Sequence, residues 1–557
     1  MGRPDFPFFD CDHHCERART GDATLGNDFM NHALSRSLLL AALVIAAPAV
    51  TQPVWAAPET PRRPNVVILL ADDLGFADVG FRGGAIETPA IDRLAAEGVI
   101  LERFYTAPIC SPTRAALLTG RDPMELGIAY DQIHPWYNGG LPPGAESLAK
   151  AFQRAGYQTA LVGKWHLGHT QAHQTPNAHG FEHFHGHLHT NTDYFLHERE
   201  GGHDLQENGR SVDATGRYLT HIQAEEAVRF LEERDPEKPF LLYVPFTAPH
   251  SPMQAPEATL ARYAHLPKKN YRRTYAAMVH EMDVAIAEIL AALDEQGLAE
   301  DTIVLFFSDN GGFYAFGADN APLRGEKGQA FEGGIRVAAA IRWPGKLPAG
   351  GRFDARMSVL DVFPTLASAA AVEIEDDDGK IDGIDLWPAL GSGAPVPERG
   401  PLFFASEIPV PGLIQLGVID GDWKLVQVVR ERQTETQVRT LLFHLSEDES
   451  EEHDVAAKHP EIVERLAGEI RGWRSRHPMA GYRGTLVAHP GWVAPYDWAK
   501  AVTPGELLQP SWENELPLPR ALVDASKERG ILISEEAVQR IEAKLARERA
   551  GWEKVAP

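Results

Sequence analysis

Cysteine is scarce: Cys11, Cys15 and Cys110 are the only three in 557 residues. That count excludes a disulfide framework as the means of holding the fold. Positive charge is short as well, with 53 Lys and Arg against 78 Asp and Glu and a formal charge of −25. Such a chain lacks the clustered cations that a phosphate backbone needs, which argues against nucleic acid as a partner. An anionic substrate then requires a locally cationic pocket. Long apolar runs are also missing. The most apolar stretch, Leu38–Val50, is shorter than the roughly 20 residues of a membrane span, so no stable span is expected. What remains, 44% hydrophobic and 24% charged residues, is ordinary globular composition and excludes disorder and fibrous folds. The length calls for two or three domains, or one large α/β domain with an appendage.

The segment 30–57 reads as a signal peptide. Arg36 supplies a basic start, Leu38–Val50 the apolar centre, and Val54-Trp55-Ala56-Ala57 a small-residue end. The expected product is exported, periplasmic or secreted, after cleavage near Ala56/Ala57. Residues 1–29 are polar and rich in Asp, His and Pro, unlike any signal n-region, and read as a start-site extension before Met30. Removal of these segments leaves Cys110 alone, either a buried bystander or a chemical group.

From Pro64 to about Leu390, apolar runs of strand length alternate with helical patterns. This alternation predicts an α/β fold, a large mixed and mostly parallel sheet flanked by helices, over 62–395. Helices are expected at Glu146–Ala155 and Arg272–Gln296, the latter with Tyr275, Met278, Met282, Ile286, Ile289 and Leu293 on one face. After a Gly/Pro/Ser-rich stretch at Gly391–Gly400, the pattern turns to a hairpin about Asp420-Gly421, a strand at Val438–Leu445 and a helix at Pro460–Arg474. A small α+β domain with an antiparallel sheet is expected over 400–480. The remainder, 481–557, reads as a tail packed on the body, with a closing helix at Ser534–Lys554.

The informative residues follow the buried runs. Asn65–Ala71 ends in Asp72-Asp73, and Thr302–Phe307 is followed by Ser308-Asp309-Asn310-Gly311-Gly312. Thr159–Gly163 leads to Lys164-Trp165-His166, and Phe240–Val244 reaches His250 within six residues. In open parallel sheets ligands sit beyond the carboxyl ends of the strands, so these residues are expected in one site. Asp72, Asp73, Asp309 and Asn310 offer only oxygen donors, which suits a hard cation, Ca²⁺ before Mg²⁺. Taken singly, each is equally compatible with a helix N-cap. Ten histidines fall between His166 and His203, among them His183, His185, His187 and His189. They fit a transition-metal site or, in the preferred reading, a His-rich loop facing substrate.

The run Ile109-Cys110-Ser111-Pro112-Thr113-Arg114, continued by Leu118-Thr119-Gly120-Arg121, resembles the Cys-x-Pro-Ser/Thr-Arg signature of the type I sulfatases. The similarity extends in order through Ala71–Gly75, Gly163–Gly168, Ala248–His250, Ser308–Gly312, Leu323–Lys327 and Glu332–Gly334. It reaches Asp422–Leu425 and Leu442–Leu445, and covers Pro64 to about Leu466. Spacing about Asp193, Tyr194 and His197 is most similar to the arylsulfatase B group, which acts on N-acetylgalactosamine 4-sulfate. Thr113 stands where the family usually has serine.

The resemblance implies an alkaline-phosphatase-like fold and conversion of Cys110 to formylglycine by a formylglycine-generating enzyme. It also implies one Ca²⁺ held by Asp72, Asp73, residue 110, Asp309 and Asn310. Lys164 and Lys327 would neutralise the sulfate, and Arg114, one helical turn after Cys110, would reach back to it. His250, helped by Lys327, would protonate the leaving alcohol, and His166 would deprotonate residue 110 to expel sulfate. The substrate would be a sulfated carbohydrate or an aryl sulfate. Two other functions stay open at this point. One is phosphodiester or phosphonate monoester hydrolysis on the same framework, and the other is secreted metal or glycan binding by an inactive site.

Overall fold

The strands of the first large region that position the site are β1 (Asn65–Ala71), β2 (Val99–Tyr105), β3 (Gln158–Lys164), β4 (His183–His187), β5 (Phe240–Pro245), β6 (Thr302–Ser308) and β7 (Ala339–Arg342). A computed structural model describes residues 63–502 except 138, 376–379, 408–412, 432–435 and 479–491. The expected signal segment, the extension before it and the Ser534–Lys554 helix lie outside the described residues. Of the tail only 492–502 is described.

Strands β6, β1, β5, β3 and β4 lie side by side and parallel, in that order. Beyond β6, β7 and then β2 continue the sheet antiparallel. Every residue of β1, β5 and β6 is buried. Both faces are covered, which is why these segments read as unbroken apolar runs instead of alternating ones. β2 carries Glu102 and Arg103 inside an otherwise apolar strand, and no apolar run announced it.

Helices cover the two faces. On one side α1 (Cys110–Thr119) and α2 (Leu148–Arg154) pack Leu117 and Phe152 against Ile68 and Leu70 of β1. Ser147 caps α2, its hydroxyl accepting from the Lys150 amide at 3.2 Å, so the helix begins two residues later than its sequence pattern suggests. On the other side α3 (Leu219–Glu233) and α4 (Arg272–Glu295) cover Val67 and Leu69. The expected apolar stripe of α4 from Tyr275 to Leu293 is buried there, each full-sized side chain contributing roughly 1.5–3 kcal/mol.

A second sheet follows, with β8 (Leu402–Ser406), β9 (Leu413–Asp420), β10 (Trp423–Glu431) and β11 (Thr436–His444) antiparallel in sequence order. Helix α5 (Pro460–Arg474) lays Leu466, Ile470 and Trp473 on one face, against Ile414 and Leu416. The opposite face, with Phe404, Val426 and Phe443, packs on Tyr105, Ala330 and Phe331. That contact sets the second sheet directly behind the loop that carries Lys327.

The histidine run differs from its expected loop. His183–His187 is strand β4 inside the large sheet, with His185 and His187 buried. His187 meets the Thr247 hydroxyl at 2.7 Å, and His189 meets Asp204 at 2.7 Å. Among the described residues, neither cluster able to hold a metal includes any of this run. No helix among the described residues is long and apolar enough to cross a membrane.

Candidate active site

The carboxyl ends of the central strands converge. Asp72 and Asp73 follow β1, Asp309 and Asn310 follow β6, Lys164 ends β3, and His250 comes shortly after β5. The Asp309 amide donates to the Ala71 carbonyl at 2.9 Å, which continues the β1–β6 ladder one step and sets the two acidic pairs side by side. Asp73 and His166 hold φ of 67° and 60°. Left-handed backbone is costly for such residues and persists only where surrounding contacts impose it. Gly311 is obligatory for closeness of another kind, because a Cβ there would lie 1.8 Å from the Gly333 carbonyl. This approach ties the Asp309–Gly312 turn to the loop bearing Lys327.

Cys110 is the first residue of α1, buried and free of any disulfide. Its sulfur and carboxylate oxygens of Asp72 and Asp309 all lie within 4.8 Å of one another, and so do ligand atoms of Asp72, Asp73 and His250. Arg114 reaches back as its helical spacing predicts. It donates to Asp309 through Nη2 at 2.9 Å and Nε at 3.2 Å, and to the Lys164 carbonyl at 3.0 Å. Lys164 Nζ stands 2.5 Å from Asp72, and Lys327 Nζ 2.6 Å from Asp73. Asn310 donates its amide to Asp73 at 2.8 Å. The ten expected site residues thus share one buried cluster, His166 joining it by charge interaction with Lys164 and Arg114 and not by a direct hydrogen bond.

Electrostatics follow from this crowding. Burial alone would raise the Asp73 pKa, but Lys327 and His250 overcome it and bring it down to about 2. Asp309 goes the other way, to about 6, through burial and the neighbouring Asp72 charge. Burial raises the Cys110 thiol. Lys327 stays above its ordinary range because the carboxylates outweigh its burial. His250 is held down to about 3 by burial and Lys327, and burial with Lys164 takes His166 well below its usual value. Both imidazoles are therefore neutral near pH 7. His166 Nε2 donates to the Ile133 carbonyl at 3.1 Å, so its unpartnered Nδ1 is a lone pair able to accept a proton. His250 Nδ1 donates to the Ser251 carbonyl at 2.7 Å, leaving Nε2, 3.5 Å from Asp73, as the exchangeable position.

Two buried oxygens in the cluster, Asp72 Oδ1 and Asn310 Oδ1, have no hydrogen-bond partner. Orphaned acceptors among mutually repelling carboxylates are the donor set of a hard cation. The residues fit Ca²⁺.

Above the cluster opens a cleft of about 310 Å³ whose floor includes Asp73, His250 and Lys327. Its walls hold residues that the sequence patterns did not single out, among them Gln132, Asn191, Arg199, Phe313 and Phe316. Gln132 sits on a loop and Arg199 in a two-residue strand, neither with motif spacing, so nothing in the sequence marks them.

The chain is similar to proteins of known type. A family model described as Sulfatase matches residues 64–372. Mouse arylsulfatase J is 38% identical over 338 residues, covering 59% of this chain and 56% of the relative. Human N-acetylgalactosamine-6-sulfatase is 35% identical over 361 residues, covering 60% of this chain and 67% of the relative. The match thus spans little more than half the length of arylsulfatase J. The crystal structure of Ps i-CgsB in complex with k-i-k-neocarrahexaose is similar with a TM-score of 0.68 at 31% identity, covering 78% of this chain and 95% of that one. The matched region runs from the start of β1 past β7 and contains every residue of the buried cluster, and the chain belongs to the sulfatase family.

Proposed function

We propose that this chain is a sulfuric ester hydrolase acting on sulfated sugars, with Cys110 as precursor of its nucleophile and one Ca²⁺ as cofactor. The observation that carries this reading is the Cys110 sulfur among the Asp72 and Asp309 oxygens, flanked by two buried lysines. A phosphate monoester brings two negative charges and calls for more metal. One hard-cation site with lysine and histidine partners suits the singly charged sulfate.

Asp72, Asp73, Asp309, Asn310 and residue 110 would hold the ion, whose chemistry is to withdraw charge from the sulfate oxygens. Formylglycine at 110, made by a maturation enzyme, supplies a hydrated aldehyde with two hydroxyls in place of one thiol. Lys164 and Lys327 bind and orient the sulfate group. Asp309, beside the Cys110 sulfur, accepts a proton from the residue-110 side chain. His250 Nε2 gives a proton to the leaving oxygen. Its low starting pKa means that the proton arrives only with the substrate's negative charge in place. His166 Nδ1, neutral and unpartnered, accepts the later proton from residue 110 that lets sulfate depart.

The relatives' names and the carbohydrate in the Ps i-CgsB complex favour a glycan, and N-acetylgalactosamine 4-sulfate is the unit proposed first. Residues 62–395 form the catalytic part of this reading and 400–480 its supporting part, in a product exported after cleavage near Ala56/Ala57.

The test is to assay purified protein on nitrophenyl sulfate, a sulfated N-acetylgalactosamine and a nitrophenyl phosphodiester. Sulfate release exceeding diester hydrolysis is expected. Faster turnover of the diester than of either sulfate would overturn the reading in favour of phosphodiester chemistry.

A further inference from the structure

One wall of the cleft carries polar groups that the proton transfers above do not use. Arg199 lies in a tight hairpin, Glu198–Arg199 paired with Gly202–His203, whose two turn residues Glu200 and Gly201 both have positive φ. That is the turn type whose twist matches a short antiparallel ribbon, so the arginine's backbone is well fixed. The Trp498 indole adds a clamp by donating to the Arg199 carbonyl at 3.0 Å. The side chain is only 21% exposed. Its Nη1 donates to Asn191 Oδ1 at 2.6 Å, its Nη2 pairs with the exposed Glu200 at 3.0 Å, and its buried Nε has no partner. An exposed partner such as Glu200 offsets little of a guanidinium's charge.

Gln132 stands on the same wall and reaches the reaction centre. Its Oε1 accepts from the Thr190 hydroxyl at 3.0 Å and lies 3.9 Å from the Cys110 sulfur. That fixes the amide and leaves its nitrogen free for the cleft. Opposite, Phe313 and Phe316 meet edge to face at 5.3 Å and give the cleft an apolar side for the face of a sugar ring.

We propose that Arg199, with Gln132 beside it, is a subsite for a second anionic substituent of the substrate, a sulfate or carboxylate on the saccharide that carries the scissile sulfate. This rests on the sulfate-ester reading above. A planar guanidinium fixed in a cleft, whose terminal nitrogens meet only Asn191 and Glu200, recognises two anionic oxygens better than a flexible ammonium does. A charge-assisted contact of this kind corresponds to about a 10- to 100-fold gain in affinity.

The experiment measures binding by calorimetry on the full chain bearing Cys110→Ala, so that ligands are not consumed. Three disaccharides serve as probes: one monosulfated, one disulfated, and one monosulfated with a uronate carboxylate. Tighter binding of the second or third over the first is expected, by about 10-fold or more, and which of them gains tells sulfate from carboxylate. Arg199→Ala in the same background should erase that preference, and Arg199→Lys should keep part of it. Asn191→Asp, which places a carboxylate against Nη1 without truncating the arginine, should erase it too. Equal affinities for all three probes, or a preference that survives Arg199→Ala and Asn191→Asp, would overturn the subsite while wild-type hydrolysis of nitrophenyl sulfate still upheld the function. Loss of both, with no sulfate ester cleaved and no probe bound, would overturn the function and the subsite together.

Discussion

At Lys424 one buried ammonium stands 2.8 Å from both Glu332 and Glu451, Tyr105 donates to Glu332 at 3.0 Å, and the Glu332 amide donates to Glu451 at 2.7 Å. At the head of the large sheet, Lys164, Lys327 and Arg114 stand among Asp72, Asp73 and Asp309, equally buried. The residue types are alike and the outcomes differ. The Lys424 cluster joins the second sheet to the loop holding Lys327, and its one oxygen without a hydrogen bond, Glu451 Oε1, still has the ammonium at 2.8 Å. The Asp72 cluster keeps two acceptors unpaired, two imidazoles neutral and a thiol at its centre. Closed charge pairs fix a structure, whereas unpaired ones wait for a ligand.

The comparison is broken most severely at the ion site. Ca²⁺ should raise the wild-type melting temperature, since a ligand that binds only the native state stabilises it, and Asp309→Asn should abolish both that rise and turnover. Chelation of the wild type should remove activity, with Ca²⁺ restoring it better than Zn²⁺. Restoration by Zn²⁺ alone would show the oxygen donor set to be misassigned.

Next comes the acid. His250→Ala should slow sugar-sulfate hydrolysis by something in the range of about 10²–10⁴. Nitrophenyl sulfate, whose leaving group needs no proton, should suffer much less, and equal losses on both would remove the acid role.

The Lys424 cluster should respond in stability. Lys424→Met leaves Glu332 and Glu451 buried without their cation, at a cost of about 3–5 kcal/mol. Denaturant melts should show this in a variant whose KM changes less than its melting midpoint. An unchanged midpoint would mean that the cluster does not hold the sheets together.

The smallest effect is a slope. Burial raises Glu451 to about 7 from an ordinary 4.5. Between those values the folded state holds a proton that the unfolded state has lost, so wild-type stability falls as pH rises from about 4.5 to 7. Glu451→Gln removes that proton uptake, so its melting temperature relative to wild type should climb across the same window. A difference independent of pH would refute it.

Much of the candidate site was legible because its residues are strung on strand ends. Apolar runs located β1, β3, β5 and β6, and the polar residues after each run could converge on only one edge. Arg114 was legible from helical spacing. Lys424 with Glu332 was not, because the partners stand 92 residues apart and only the packing of two sheets brings them together. The histidine run, read as a loop facing substrate, is instead a strand of the large sheet, where His187 meets Thr247 and, just past the strand, His189 meets Asp204. Gln132 and Arg199 carried no signal, since a lone polar residue outside any motif gains meaning only from the cleft around it.

The most direct test of the account is the mass of the peptide spanning residue 110, taken from protein that hydrolyses nitrophenyl sulfate and compared with the Cys110→Ala variant. The account predicts that sulfur and two hydrogens are replaced by one oxygen in the active protein, and that the alanine variant folds normally without turnover. An unmodified thiol in fully active protein, or near-normal hydrolysis by Cys110→Ala, would contradict it.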